Sequence, residues 1–192
     1  MFPPITGVVK QLVIINVLVF AGASFLLPDH GNLLAMSSPY SPNFRAFQIV
    51  THMFMHANFQ HLLFNMLMLY FLGPMVEQAL GSKKFLILYL VSGLGALAAH
   101  FLFFPYSGVV GASGAVYGVL IAFATLFPNV KLMLLFPPIP IKAKYLALGL
   151  IVIGLFSGFG GLDQGVAHFA HLGGSLTAFI LLIIWKKVNF GR

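Results

Sequence analysis

The chain contains no cysteine, which excludes disulfides and thiol catalysis and leaves the redox compartment unspecified. Charge is the second scarcity. Only 7% of the 192 residues are charged while 60% are hydrophobic, against about 25% charged in an ordinary soluble domain. Such a composition cannot cover a globule with water-compatible surface, so lipid is its solvent. Carboxylates are scarcest of all, limited to Asp29, Glu77 and Asp163. His52, His56 and His61 sit close together in sequence, but there is no His-Glu-x-x-His and no carboxylate among them. Neither a metal nor any other cofactor is expected. Linkers, repeats and low-complexity stretches are also missing, so 1–192 reads as a single domain.

What is present is a series of long apolar runs. They predict an all-α polytopic membrane protein with six transmembrane helices, at about 8–27, 61–80, 85–104, 113–127, 143–157 and 166–185. The breaks between them are marked by Pro28, by Gly81-Ser82-Lys83-Lys84, by Pro105, by Pro128 with Pro137, Pro138 and Pro140, and by a Gly-rich loop over 158–165. Residues 44–60 mix aromatics with histidine and read as interfacial, making the first loop partly membrane-embedded, with its aromatics anchoring at headgroup depth. Lys10, a short apolar run and Ala21-Gly22-Ala23 also suit a cleaved signal peptide over 1–23. The run continues past the small residues, and its length of about 20 residues suits a retained span.

The formal charge of +7 invites a nucleic-acid partner, but the cations cluster at the ends of apolar segments. Six spans place both termini on one side, together with Lys10, Lys83, Lys84, Lys131, Lys142, Lys144, Lys186, Lys187 and Arg192. Arg45 alone falls opposite, and so do all seven histidines. The positive-inside rule makes the lysine-rich side cytoplasmic. No nucleic-acid partner is expected.

Polar groups inside apolar spans are costly and are functional candidates by default. The fourth span opens Gly111-Ala112-Ser113-Gly114. From Ser113 to Phe127 is about 22 Å of helix, shorter than the ~30 Å hydrocarbon core. Ser113 therefore starts below the outer surface, at a helix N-terminus whose free N–H groups and positive dipole end suit an oxyanion. It reads equally as an N-cap serine beside tightly packed glycines. The sixth span carries His171, which needs a polar partner at that depth. Gly174 and Ala178 lie below it, and Gly114, Gly118 and Ala122 recur at the same spacing on the fourth span. Joining these small-residue faces brings Ser113 and His171 to one depth, and hydroxyl plus imidazole is the minimal activated nucleophile. His61 and Asn65, four apart, share a helix face and can both donate to a developing oxyanion; an interhelical polar clamp fits them as well. Tyr117 lies one turn below Ser113, under the His171 ring or as a plain core aromatic. Asp163 falls in the loop before the sixth span with no evident route to His171. Glu77 caps or pairs locally, with Lys83 or Lys84 as candidates.

The ordered set Gly111-Ala112-Ser113-Gly114, Ala170-His171-Leu172-Gly173-Gly174 and His61-x-x-x-Asn65, with Glu77-x-x-Leu80-Gly81-Ser82, resembles the rhomboid intramembrane serine proteases over about 44–185. The resemblance implies a rhomboid-like fold and an endopeptidase that cleaves transmembrane segments near their outer end. Ser113 is then nucleophile and His171 base, while His61, Asn65 and the Ser113 N–H form the oxyanion hole. Gly111 and Tyr117 support them, with His168 contacting substrate or water. Substrates are single-span proteins in a lipid bilayer, the loop 158–165 caps the site and the fifth span gates it. A bacterial plasma membrane is the expected location, with the active site opening outward. Phe47-Gln48 stands where many members have Trp-Arg, which puts that dipeptide's role in question. A catalytically inactive, membrane-protein-binding relative is the alternative; such members typically lack the serine or histidine, and both are present. A channel or transporter is disfavoured by the absence of inverted repeats.

Overall fold

The structure is a computed structural model that describes residues 4–5, 7–26, 31–134, 137–160 and 168–188, the side chains of 31, 32, 159 and 160 aside. It is mostly helical. Six principal helices are α1 (Gly7–Leu26), α4 (Phe59–Leu80), α5 (Ser82–Phe103), α6 (Ser113–Leu126), α7 (Ala143–Gly160) and α8 (His168–Ile184). Two short ones, α2 (Gly31–Leu34) and α3 (Gln48–Thr51), lie in the long connection between α1 and α4. Three helices, α1, α4 and α5, are long and apolar enough to cross a membrane; α6, α7 and α8 are apolar but shorter over their described lengths. The helix boundaries follow the apolar runs to within a few residues. One boundary is corrected. Helix α7 continues to Gly160, so Gly158 and Gly160 are helical and not part of a loop. Positions 161–165 of the expected loop, with Asp163, lie outside the described residues.

Helix α6 is the centre of the bundle. Gly114 through Ala124 are buried save Tyr117, and the helix packs on α4, α5, α7 and α8. That burial on every face requires a sequence apolar all round, which α6 has. Close packing comes from missing side chains. A Cβ on Gly174 would run into the Gly114 backbone, one on Gly114 into Ala96, and one on Gly118 into Ser92. The small-residue faces of α6 and α8 meet as the spacing predicts.

Glu77 is the clearest departure from expectation. It forms no ion pair with Lys83 or Lys84 among the described residues. Its two carboxylate oxygens accept the backbone N–H of Val8 (2.8 Å) and Val9 (3.0 Å), and Ser82 Oγ donates to it at 2.5 Å. A carboxylate thus closes the N-terminus of α1, where free N–H groups and the helix dipole favour negative charge. The partner is 69 residues away, beyond any local pattern.

These contacts fix the two ends of the bundle. The start of α1, the α4–α5 turn at Gly81, and Trp185 beneath Lys84 (5.6 Å to the ring centroid) share one end. The α6–α7 connection lies there too, since α6 runs parallel to α4 and α8. It carries an antiparallel hairpin of β1 (Lys131–Met133) and β2 (Pro140–Lys142), with Lys131 opposite Lys142 and Met133 opposite Pro140. The starts of α4, α6 and α8 share the other end with the connection 35–58.

Candidate active site

At the start of α6 the N-cap is Ala112, whose side chain makes no cap and whose backbone is already helical (φ −72°, ψ −8°). Ser113 is therefore the first helical residue and not the cap, which removes the capping reading of its hydroxyl. Its Oγ lies 2.8 Å from His171 Nε2. The two are 58 residues apart and meet because Gly174 and Gly114 let α8 and α6 touch backbone to backbone. The hydroxyl donates when Nε2 is unprotonated. The Tyr117 ring lies parallel to that of His171, with centroids 4.2 Å apart and planes at 7°. Stacked in this way, the imidazole has little freedom to rotate. The N–H groups of Ser113, Gly114 and Ala115 precede the first intrahelical bond, from Val116 N to Ala112 O (3.0 Å), and so have no intrahelical acceptor.

The approach to Ser113 is shaped by Gly111. Its φ of +121° is a conformation that glycine alone adopts readily, and its N–H donates to His52 O at 2.9 Å. A Cβ there would stand 2.5 Å from His61 Cε1 and 2.7 Å from Nε2. The glycine thus lets the His61 ring lie against the backbone leading to the serine. His61 itself is set by the start of α4, where Asn58 is the N-cap and its Oδ1 accepts His61 N–H at 2.8 Å. One turn on, Asn65 is buried and donates from Nδ2 to His61 O at 2.9 Å.

Ser113, His171, Tyr117, His61 and Asn65 all line one open cavity of about 1170 Å³, walled on the α4 side by Phe64 and Met68. The geometry therefore unites five of the seven residues singled out from sequence in that lining, with Gly111 adjoining through His61. His168 is not in the lining. Its ring stands edge-on to His171 at 6.4 Å, and its Nε2 is buried with no partner among the described residues. A hydroxyl on an imidazole, helix-start N–H groups beside it and an open cavity together can support nucleophilic attack and hold an oxyanion.

Two residues of the first loop, Gln48 and His56, carry a structural role that their sequence did not assign. Gln48 is 1% exposed. Its Oε1 accepts from Arg45 N (3.0 Å) and Ser37 N (3.3 Å), and its Nε2 donates to Leu33 O (3.1 Å). It knots the loop that a Met36–Val109 bridge (3.0 and 2.9 Å) ties to the chain entering α6. His56 is equally buried and meets His61 ring to ring, edge to face, at 5.1 Å. Burial lowers its pKa to about 4, and the neighbouring His61 adds to the effect. Gln48, His52 and His56 recur every four residues and all three are buried; that spacing was the available signal. The segment 44–60 is thus a structural wall of the site as well as an aromatic-bearing loop.

The family model for the Rhomboid domain matches residues 43–187. The chain belongs to the rhomboid family. Among its rhomboid relatives, RHOMBOID-like protein 2 of Arabidopsis thaliana is 37% identical over 155 residues, 77% of this chain and 45% of its own length. Rhomboid protease AarA of Providencia stuartii is 32% identical over 155 residues, 71% of this chain and 54% of its own. Rhomboid protease GlpG of Salmonella paratyphi A is 28% identical over 186 residues, 93% of this chain and 63% of its own. The chain spans about half the length of the curated relatives it matches. Family and apolar helices together make it an integral membrane protein.

Proposed function

We propose that this rhomboid-family protein is an intramembrane serine endopeptidase working through a Ser113–His171 dyad. The observation that carries the reading is the 2.8 Å contact between Ser113 Oγ and His171 Nε2 at an open cavity in an otherwise apolar bundle. Relatives named as rhomboid proteases support the reaction class.

In the mechanism, Nε2 of His171 takes the hydroxyl proton as Oγ attacks the scissile carbonyl carbon. The carbonyl oxygen becomes an oxyanion, held by the Ser113 N–H with His61 and Asn65 as side-chain donors. Collapse of this intermediate breaks the C–N bond, and His171 returns the proton to the leaving amine. Water, deprotonated by the same imidazole, attacks the acyl-enzyme, and the proton goes back to Ser113 as the acid is released. Tyr117 holds the ring in the plane both transfers need. No carboxylate is required to orient it.

The six apolar helices are read as six spans, with the start of α1 and the end of α8 on the cytoplasmic side. Support comes from the lysines of 83, 84, 131, 142, 144, 186 and 187, which gather with Lys10 at one end of the bundle. The cavity then opens at the outer end. Its substrates are single-span membrane proteins, whose helix must unwind to present a peptide bond to Ser113. His168 is assigned a contact to buried water beside His171, since it lies outside the cavity lining with its Nε2 buried.

Purified protein in liposomes is expected to cleave a single-span test substrate. Ser113→Ala and His171→Ala are each expected to abolish cleavage, and to similar extents, because nucleophile and base act as a unit. Cleavage undiminished in Ser113→Ala would overturn the assignment.

A further inference from the structure

The hairpin between α6 and α7 is an unusual place to put lysines. Lys131 and Lys142 are directly opposite one another in register. Val130 O accepts from Ala143 N at 2.9 Å, and Leu134 N donates to Ile139 O at 3.1 Å. The alternation of an antiparallel ladder then makes Lys131–Lys142 and Met133–Pro140 non-hydrogen-bonded pairs, whose side chains approach most closely. Proline suits that position because its missing N–H is not called upon. Leu132 points into the core, so Lys131, Met133, Pro140 and Lys142 share the outward face.

Two like charges directly opposite on a strand pair destabilise it, and no carboxylate among the described residues pairs with them. The chain's three carboxylates are Asp29, Glu77 and Asp163, and Glu77 is occupied at the start of α1. On that outward face Met133 is 64% exposed and Pro140 is exposed beside it. A cation pair beside bare apolar side chains, at the end of the bundle where the other lysines gather, matches an amphiphile with an anionic head and a hydrocarbon tail.

We propose that the outward face of this hairpin is a docking surface for an anionic phospholipid. The two ammonium groups hold the phosphate, while Met133 and Pro140 lie against the acyl chain. Attraction of each basic residue to an anionic surface is worth several-fold in affinity, so the pair gives a preference on the order of tenfold or more over a zwitterionic lipid. The surface is independent of the Ser113–His171 chemistry, and its failure would leave the proposed proteolysis untouched.

The test uses full-length delipidated protein in neutral detergent, titrated with short-chain phosphatidylglycerol, short-chain phosphatidylcholine or inorganic phosphate. Bound lipid is read by native mass spectrometry and stability by thermal midpoint. The wild type is expected to retain phosphatidylglycerol on the order of tenfold better than phosphatidylcholine, with inorganic phosphate ineffective as a competitor. K131Q/K142Q is expected to lose that preference, while K83Q/K84Q keeps it. Without lipid, the K131Q/K142Q midpoint is expected to rise, because the repulsion is gone; this readout also establishes that the variant folds. Undiminished phosphatidylglycerol preference in K131Q/K142Q would overturn the proposal. Equal loss in K83Q/K84Q would reduce it to the general charge of that end, and equal competition by inorganic phosphate would overturn the lipid assignment.

Discussion

Single side chains carry different parts of the proposed chemistry, and the structure separates them by what they touch. Ser113 and His171 touch each other; His61 touches the backbone at Gly111; Asn65 is tied to His61 O and faces the cavity. If Asn65 donates to the oxyanion, Asn65→Ala is expected to lower the cleavage rate by about 10²–10³-fold with the thermal midpoint little changed. A wild-type rate there would reduce it to a clamp on the first turn of α4. The meeting of the serine and the histidine was legible in the small-residue spacing of their two helices, whereas the serine by itself read equally as a cap. The burial of Gln48 and His56 was signalled only by the four-residue spacing they share with His52. The partners of Gln48 were not legible, because they include Leu33 O, 15 residues away, in a loop that the Met36–Val109 bridge ties to the start of α6.

Among the helices, the decisive fact is that α6 and α8 meet through glycine. A methyl group on Gly174 would fall on the Gly114 carbonyl, so the helices must part to admit it. Gly174→Ala is expected to cost about 1–3 kcal/mol of stability. Cleavage should fall by on the order of 10²-fold through misplacement of Ser113 relative to His171. Gly149→Ala is the control, since nothing lies within 4 Å of a Cβ there; it is expected to leave cleavage unchanged and stability unchanged or slightly raised, because alanine favours a helix interior over glycine. An equal effect at both positions in a thermal melt and a cleavage assay would contradict this account. The glycine spacing was readable because a four-residue repeat on each helix needs only the helical period to interpret. The Glu77 clasp on α1 was not, since the pattern that suggests a cap cannot say which helix is capped.

For the molecule as a whole, folding holds His56 neutral beside His61. The unfolded imidazole titrates near 6.5 and the folded one near 4. Between those values the unfolded chain binds more protons, so stability rises with pH; equivalently, it drains away as pH falls from about 6.5 towards 4. The full loss is on the order of 3 kcal/mol. In detergent, the thermal midpoint is expected to fall from pH 7.5 to 5, and His56→Leu should make that dependence less steep. A slope identical to wild type would show that other groups set it. The gathering of lysines at one end of the bundle was legible from charge alone, because their places at the ends of apolar runs answer to membrane insertion before any packing.

The central claim is that the Ser113 hydroxyl is activated by His171 within reach of water. Labelling with a fluorophosphonate probe, followed by mapping of the modified peptide, tests it most directly. One adduct on Ser113 is expected, absent in Ser113→Ala and strongly reduced in His171→Ala. Labelling that persists in Ser113→Ala, or that proceeds at the wild-type rate in His171→Ala, would contradict it.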